Sequence, residues 1–137
     1  MAESAEGGCL CEAVRYRVAG PLRPVIACHC QQCRKTSGHF VAATACATAD
    51  LSVTGAVNWY ASSPTARRGF CGTCGSNLFW EGTAAMTSIH AGTLDGATGL
   101  SIAGHIYCAA KGDYYTIADG APQADGPDLT LTELERS

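Results

Sequence analysis

The sequence predicts a mainly β fold, and three observations carry that expectation. Glycine occurs 16 times in 137 residues, which suits strands and turns, because glycine is costly inside a helix. Charged residues make up only 15% of the chain, in keeping with a compact, turn-rich domain. Short apolar or alternating runs recur between Gly, Pro and Ser residues, which is the pattern of strands separated by turns.

The length fits one domain, large enough to bury a core yet small enough to profit from a metal staple. Residues 1–6 read as a disordered start, residues 7–122 as the folded catalytic domain, and residues 123–137 as a loosely packed tail. The run from Cys9 to Val18 reads as a strand, which would put Cys9 and Cys11 on one face as a C-x-C clasp. Pro24 to Ala27 reads as a short apolar strand that delivers the chain to Cys28. Gln31 to Ser37 suits one or two helical turns stopped by Gly38. Further strands are expected over residues 39–48, 51–54 and 57–60, the last two as a hairpin around Gly55. Arg67 to Phe70 leads into Cys71. Residues 77–81, 86–91, 102–110 and 114–117 continue the series, and residues 129–136 suit a weak helix. No internal repeat or linker divides the chain.

A net charge of −3 argues against a nucleic-acid partner held by phosphate neutralisation. No apolar run approaches the roughly 18–20 residues that span a bilayer. Residues 1–8 lack the basic and apolar regions of a secretory signal. Nine cysteines without such a signal read as thiolates in a reducing compartment, the cytoplasm, and their odd number does not suit a complete disulfide framework.

Seven of those cysteines fall into three groups: Cys9 and Cys11; Cys28, Cys30 and Cys33; Cys71 and Cys74. Cys71-Gly72-Thr73-Cys74-Gly75 has the knuckle pattern of zinc ribbons, with glycine permitting the tight turn. Joining the two pairs gives a closed Cys₄ site across a loop of about 60 residues, well placed to staple the fold. The triplet then stands alone with one tetrahedral position open, the mark of a zinc that does chemistry. A second closed site completed by Cys46, Cys108 or a histidine stands beside that reading, and an iron–sulfur cluster fits the spacing poorly. Cys46 and Cys108 sit in apolar runs that suit buried free thiols. His29, between two ligands, should point away from the ion.

Gly8-Cys9-x-Cys11, Cys28-His29-Cys30-x-x-Cys33-Arg34-Lys35-x-Ser37-Gly38 and Phe70-Cys71-Gly72-x-Cys74-Gly75-Ser76-x-Leu78-Phe79 together resemble the glutathione-dependent formaldehyde-activating enzyme family. Ala91 to Asp95, His105-Ile106-Tyr107, Lys111 and Ala118-Asp119-Gly120 match its later signatures. The resemblance implies a β-tent of antiparallel sheets, a fold also seen in methionine-R-sulfoxide reductases. It implies two zinc ions, one structural on Cys9, Cys11, Cys71 and Cys74 and one catalytic on Cys28, Cys30 and Cys33. The implied chemistry is that of a carbon–sulfur lyase, in which glutathione adds to formaldehyde to give S-(hydroxymethyl)glutathione. The expected partners are thus a small thiol and a small aldehyde.

A site of three thiolates suits capture of a substrate thiol, because the metal holds thiolate strongly. Arg34 and Lys35 could attract the carboxylates of glutathione. His90, His105 and Asp95 are the candidates for a general base. Two other readings use the same cysteines: a non-catalytic zinc module that binds a protein partner, and a redox protein with a thiol–disulfide pair at Cys28 and its neighbours.

Overall fold

The computed structural model describes residues 4–133. In chain order the strands are β1 (Ala5–Gly8), β2 (Arg15–Val18), β3 (Val25–Cys28), β4 (Val41–Ala47), β5 (Leu51–Thr54), β6 (Val57–Ser63), β7 (Ala66–Cys71), β8 (Asn77–Glu81), β9 (Met86–His90) and β10 (Ile102–Ile106). Helix α1 (Gln31–Ser37) follows β3, and α2 (Leu129–Thr132) lies near the end. A small sheet has the order β1-β2-β5, and a large one the order β10-β3-β4-β9-β8-β7-β6.

The core lies between the sheets. On β2 the alternation Arg15-Tyr16-Arg17-Val18 buries Tyr16 and Val18, which join Val14 of the preceding turn against Cys46, Leu78, Phe79 and Ile89 from the large sheet. Phe79 meets the Tyr16 ring edge-on at 5.4 Å and stacks with Trp59 at 6.2 Å. The other face of the large sheet is shaped differently. Cys28 pairs with Val41 and His90 with Ala43, so registered neighbours on that face carry the triplet's surroundings.

Several local expectations are corrected by long-range pairing. Ala5 and Glu6 are not a frayed start: they form strand with Val18 and Arg17. The segment from Cys9 to Val14 is a turn, not a strand, tied by bonds from the Cys9 N–H to the Val14 carbonyl (3.0 Å) and from the Glu12 N–H to the Cys9 carbonyl (3.1 Å). Glu12 takes a positive φ of 65° to make it. The strands flanking Gly55 are not a hairpin, because β5 pairs with β2 and β6 with β7. Gly55 is where the chain changes sheets, with φ +91° and a Cβ position only 1.9 Å from the Ala13 carbonyl oxygen, so no side chain fits there. The sheets are not wholly antiparallel either: β10 runs parallel to β3. The connection from β9 is long enough to carry the chain across the sheet to its far edge, as parallel pairing requires.

No strand forms over residues 114–117. The stretch after Ala118 is not loosely packed in its described part. The His105 N–H donates to the Pro122 carbonyl (2.8 Å), the Ala124 N–H to the His105 carbonyl (2.9 Å), and the Tyr107 N–H to the Gly126 carbonyl (3.0 Å). Asp128 caps α2, and the buried Arg23 guanidinium reaches the Thr132 and Ala43 carbonyls at 3.0 Å each. The expected helix is seen over Leu129–Thr132; residues 134–136 lie outside the described residues. Among the described residues no helix is long and apolar enough to cross a membrane.

Candidate metal centres and active site

The first cluster joins the two sheets. Cys9 and Cys11 come from the β1–β2 turn, Cys71 from the end of β7, and Cys74 from the turn before β8, and their sulfurs lie within 4.8 Å of one another. Cys9 and Cys11 are 3.7 Å apart and Cys11 and Cys71 3.8 Å. Four sulfurs at about 2.3 Å from a tetrahedral zinc stand about 3.8 Å from each other. The donor set therefore fits zinc without rearrangement.

Backbone amides converge on these sulfurs as a ligand set requires. The Val14 N–H donates to Cys9 Sγ at 3.2 Å, and Ser76 Oγ lies 3.2 Å from Cys74 Sγ while accepting from the Leu10 N–H at 3.0 Å. Ser76, through its hydroxyl and then its backbone, pulls the Cys74 thiol down to about 5. Gly75, at φ +81°, closes the knuckle by donating its N–H to the Cys71 carbonyl at 2.8 Å.

The second cluster is built at the junction of β3 and α1. Cys28 ends the strand, Cys30 caps the helix by accepting from the Cys33 N–H (3.3 Å), and Cys33 lies one turn in. Gly38 stops α1 in the left-handed conformation, φ +82°. The three sulfurs lie within 4.8 Å of one another, and among the described residues no fourth Cys, His, Asp or Glu joins them. Hydrogen bonds from Cys28 and then Cys33 push the Cys30 thiol down, whereas those with Cys30 and then Cys33, together with burial, push Cys28 up. The cluster welcomes one thiolate, and a second or third needs a cation. That donor set fits a metal ion.

The other two cysteines stay out of both clusters. Cys46 is wholly buried in the core on the opposite face, and burial raises its thiol to about 11. Cys108 starts the short helical turn after β10. His29 points away from the triplet, with Nε2 2.9 Å from His105 Nδ1.

Arg68 is a candidate site residue that local reading missed. Its Nη1 and Nη2 lie 3.9 and 3.8 Å from Cys33 Sγ, and Nη2 donates to Gln32 Oε1 at 3.2 Å. Among the described residues it has no carboxylate partner, so its charge is directed at sulfur. The only local signal was a pair of arginines shortly before the second C-x-x-C motif. Register explains the contact: Arg68 pairs with Trp80 and Trp80 with Ser88, two residues from His90 on the same face as Cys28.

The candidates among charged residues separate. Lys35 and Arg68 line a groove of about 330 Å³ with Gln31, Gln32, Tyr60 and Ser62. Arg34 turns to the other side of α1 and lines a groove of about 480 Å³ with Lys111, Asp113 and Tyr114. Asp95 leaves the site altogether: it forms a two-pronged ion pair with Arg15 of β2, which holds its carboxyl below the usual range.

His90 lies opposite Ala43, which packs with Cys33 and Val41. Burial, aided by the Arg68 charge, pushes its pKa from 6.5 down to about 4. The unfolded chain therefore binds this proton at higher pH than the folded one. The contribution is complete above about pH 6.5 and is lost as pH falls toward 4. Between pH 7 and pH 5 the wild type should lose roughly 2 kcal/mol more stability than His90→Gln. Urea unfolding of both proteins at each pH measures this, and equal losses would show that His90 remains solvated.

Fold and clusters together define a cysteine-rich, mainly β protein with two candidate metal centres, one between its sheets and one at a strand–helix junction. The model of the family described as glutathione-dependent formaldehyde-activating enzyme matches residues 4–110, and the chain belongs to that family. It is 30% identical over 117 residues to a Schizosaccharomyces pombe protein described as an uncharacterized lyase, a match that covers 83% of this chain and 85% of that one.

Proposed function

We propose that the protein is a cytoplasmic, zinc-dependent carbon–sulfur lyase that joins a thiol to a small aldehyde at Cys28, Cys30 and Cys33. Glutathione and formaldehyde are the pair suggested by the family. The observation that carries this reading is the triplet itself: three clustered thiols with a guanidinium beside them and no fourth donor among the described side chains. Cys9, Cys11, Cys71 and Cys74 would hold a second, structural zinc.

Bound at the triplet, zinc would supply a Lewis-acid position at which a substrate thiol is held as thiolate. The protein's own residues do the rest. Cys28, Cys30 and Cys33 hold the ion, and Arg68 offsets part of the negative charge of three thiolates. Lys35 and Arg68 in the adjoining groove attract a carboxylate of the substrate and so orient its sulfur. The reaction forms one S–C bond, opens the carbonyl π bond and moves the thiol proton to the carbonyl oxygen, with no net oxidation.

Exchange NMR of formaldehyde with glutathione tests the reading. The protein should accelerate interconversion of free formaldehyde and the hydroxymethyl adduct. Exchange unchanged over the spontaneous rate, with two zinc ions bound, would remove this substrate pair.

A further inference from the structure

We propose that a hydrogen-bonded chain, Tyr115–His29–His105–Asp119, with its two imidazoles buried and its carboxylate at the surface, is the brace that sets the geometry of the Cys28–Cys30–Cys33 triplet from behind. His29 is the single residue between two of the three thiols, and it is 1% exposed. Both of its ring nitrogens are engaged: Nε2 with His105 Nδ1 at 2.9 Å, and Nδ1 with the Tyr115 hydroxyl. His105 Nε2 continues to Asp119 Oδ2 at 2.8 Å.

With both imidazoles in their neutral form, hydrogen-bonding capacity gives this chain one direction. Asp119, whose Oδ1 accepts from the Ala121 N–H at 3.0 Å, can only accept as a carboxylate. His105 therefore carries its proton on Nε2 and accepts at Nδ1 from His29 Nε2. His29 Nδ1 is then left to accept from Tyr115. Every polar atom on both imidazoles is satisfied, which is what allows two histidines to be buried side by side.

The backbone completes the grip. The His29 N–H donates to the Ile106 carbonyl (3.0 Å), and His105 is bonded on both sides to Pro122 and Ala124. His29 is thus fixed at its amide and at both ends of its ring, while Phe40 packs on it at 4.9 Å. Cys28 and Cys30 cannot rotate apart while their shared neighbour is held in this way. His105 and Asp119, which take no part in the proposed chemistry, acquire a role as positioning residues. The segment from Lys111 to Asp119 becomes part of the site although it contributes no thiol. Groups that orient metal ligands from outside the coordination sphere commonly change metal retention by about 10–100-fold.

This inference rests on the triplet holding metal, and its test separates the two. Zinc release from the holoprotein to a coloured chelator should show two phases of one ion each. His105→Leu should accelerate one phase about tenfold or more and leave the other unchanged. Tyr115→Phe, which removes only a hydroxyl and keeps the fold safe, should accelerate the same phase by less. His105→Asn places an amide oxygen where Nδ1 was, and should return that phase close to the wild-type rate. In the cobalt protein, His105→Leu should shift the thiolate charge-transfer band of one centre only. Unchanged release in both His105→Leu and Tyr115→Phe overturns the brace, as does equal acceleration of both ions or failure of His105→Asn to rescue. A wild-type protein that binds only one ion overturns the catalytic metal and the brace together.

Discussion

Cys71→Ser is expected to abolish cooperative folding. Cys71 is buried in the main core, ends β7, and belongs to the one cluster that ties the small sheet to the large one. A metal there links residues 60 positions apart, Cys11 to Cys71, and its binding free energy is folding free energy, on the order of 10 kcal/mol for a structural zinc site. That is comparable to the whole stability of a small domain, about 5–15 kcal/mol. Serine keeps the volume but lacks the thiolate. Circular dichroism should show no sharp melting transition, and zinc content should fall to one ion or none. A variant that keeps two ions and melts as the wild type does would remove the structural role of this cluster.

Cys33→Ser should have the opposite profile. It should abolish catalysed exchange, lower zinc content from two ions to one, and leave the melting transition cooperative. Cys33 lies outside the main core, in a small group with Val41 and Ala43. Helix α1 keeps both of its ends, since Cys30 still caps the start and Gly38 the stop. The loss falls on the chemistry: two thiolates hold zinc far less tightly than three, and Arg68 loses its sulfur partner. Metal analysis alongside exchange NMR distinguishes the outcomes. If Cys33→Ser unfolds as Cys71→Ser does, the division of labour between the clusters fails.

Strand existence was readable from local patterns wherever alternation or an apolar run was bounded by turns, as for β4, β8 and β9. Partners were not readable. The hairpin expected around Gly55 fails because Val53 and Val57 look alike as strand residues, while the sheet each joins depends on Tyr16 and Cys71 far along the chain. Arg34 and Lys35 look equivalent as adjacent cations, but neighbouring helical positions face different directions, so they line different grooves. Asp95 looked available as a base until Arg15, 80 residues away, was seen to hold it.

What the sequence determined by itself is the composition of the two thiol sets. The spacings C-x-C, C-x-C-x-x-C and C-x-x-C are short enough that local backbone geometry brings the sulfurs within each motif together, so the triplet is largely dictated by its motif. The two pairs, 60 positions apart, meet only where the sheets do. What only the tertiary structure decided is what surrounds the triplet. Arg68 against Cys33, and Tyr115, His105 and Asp119 behind His29, come from strands and segments 35 to 90 positions away. Their meeting depends on the strand order and register of the large sheet, and register is a property of paired strands that no single stretch of chain carries.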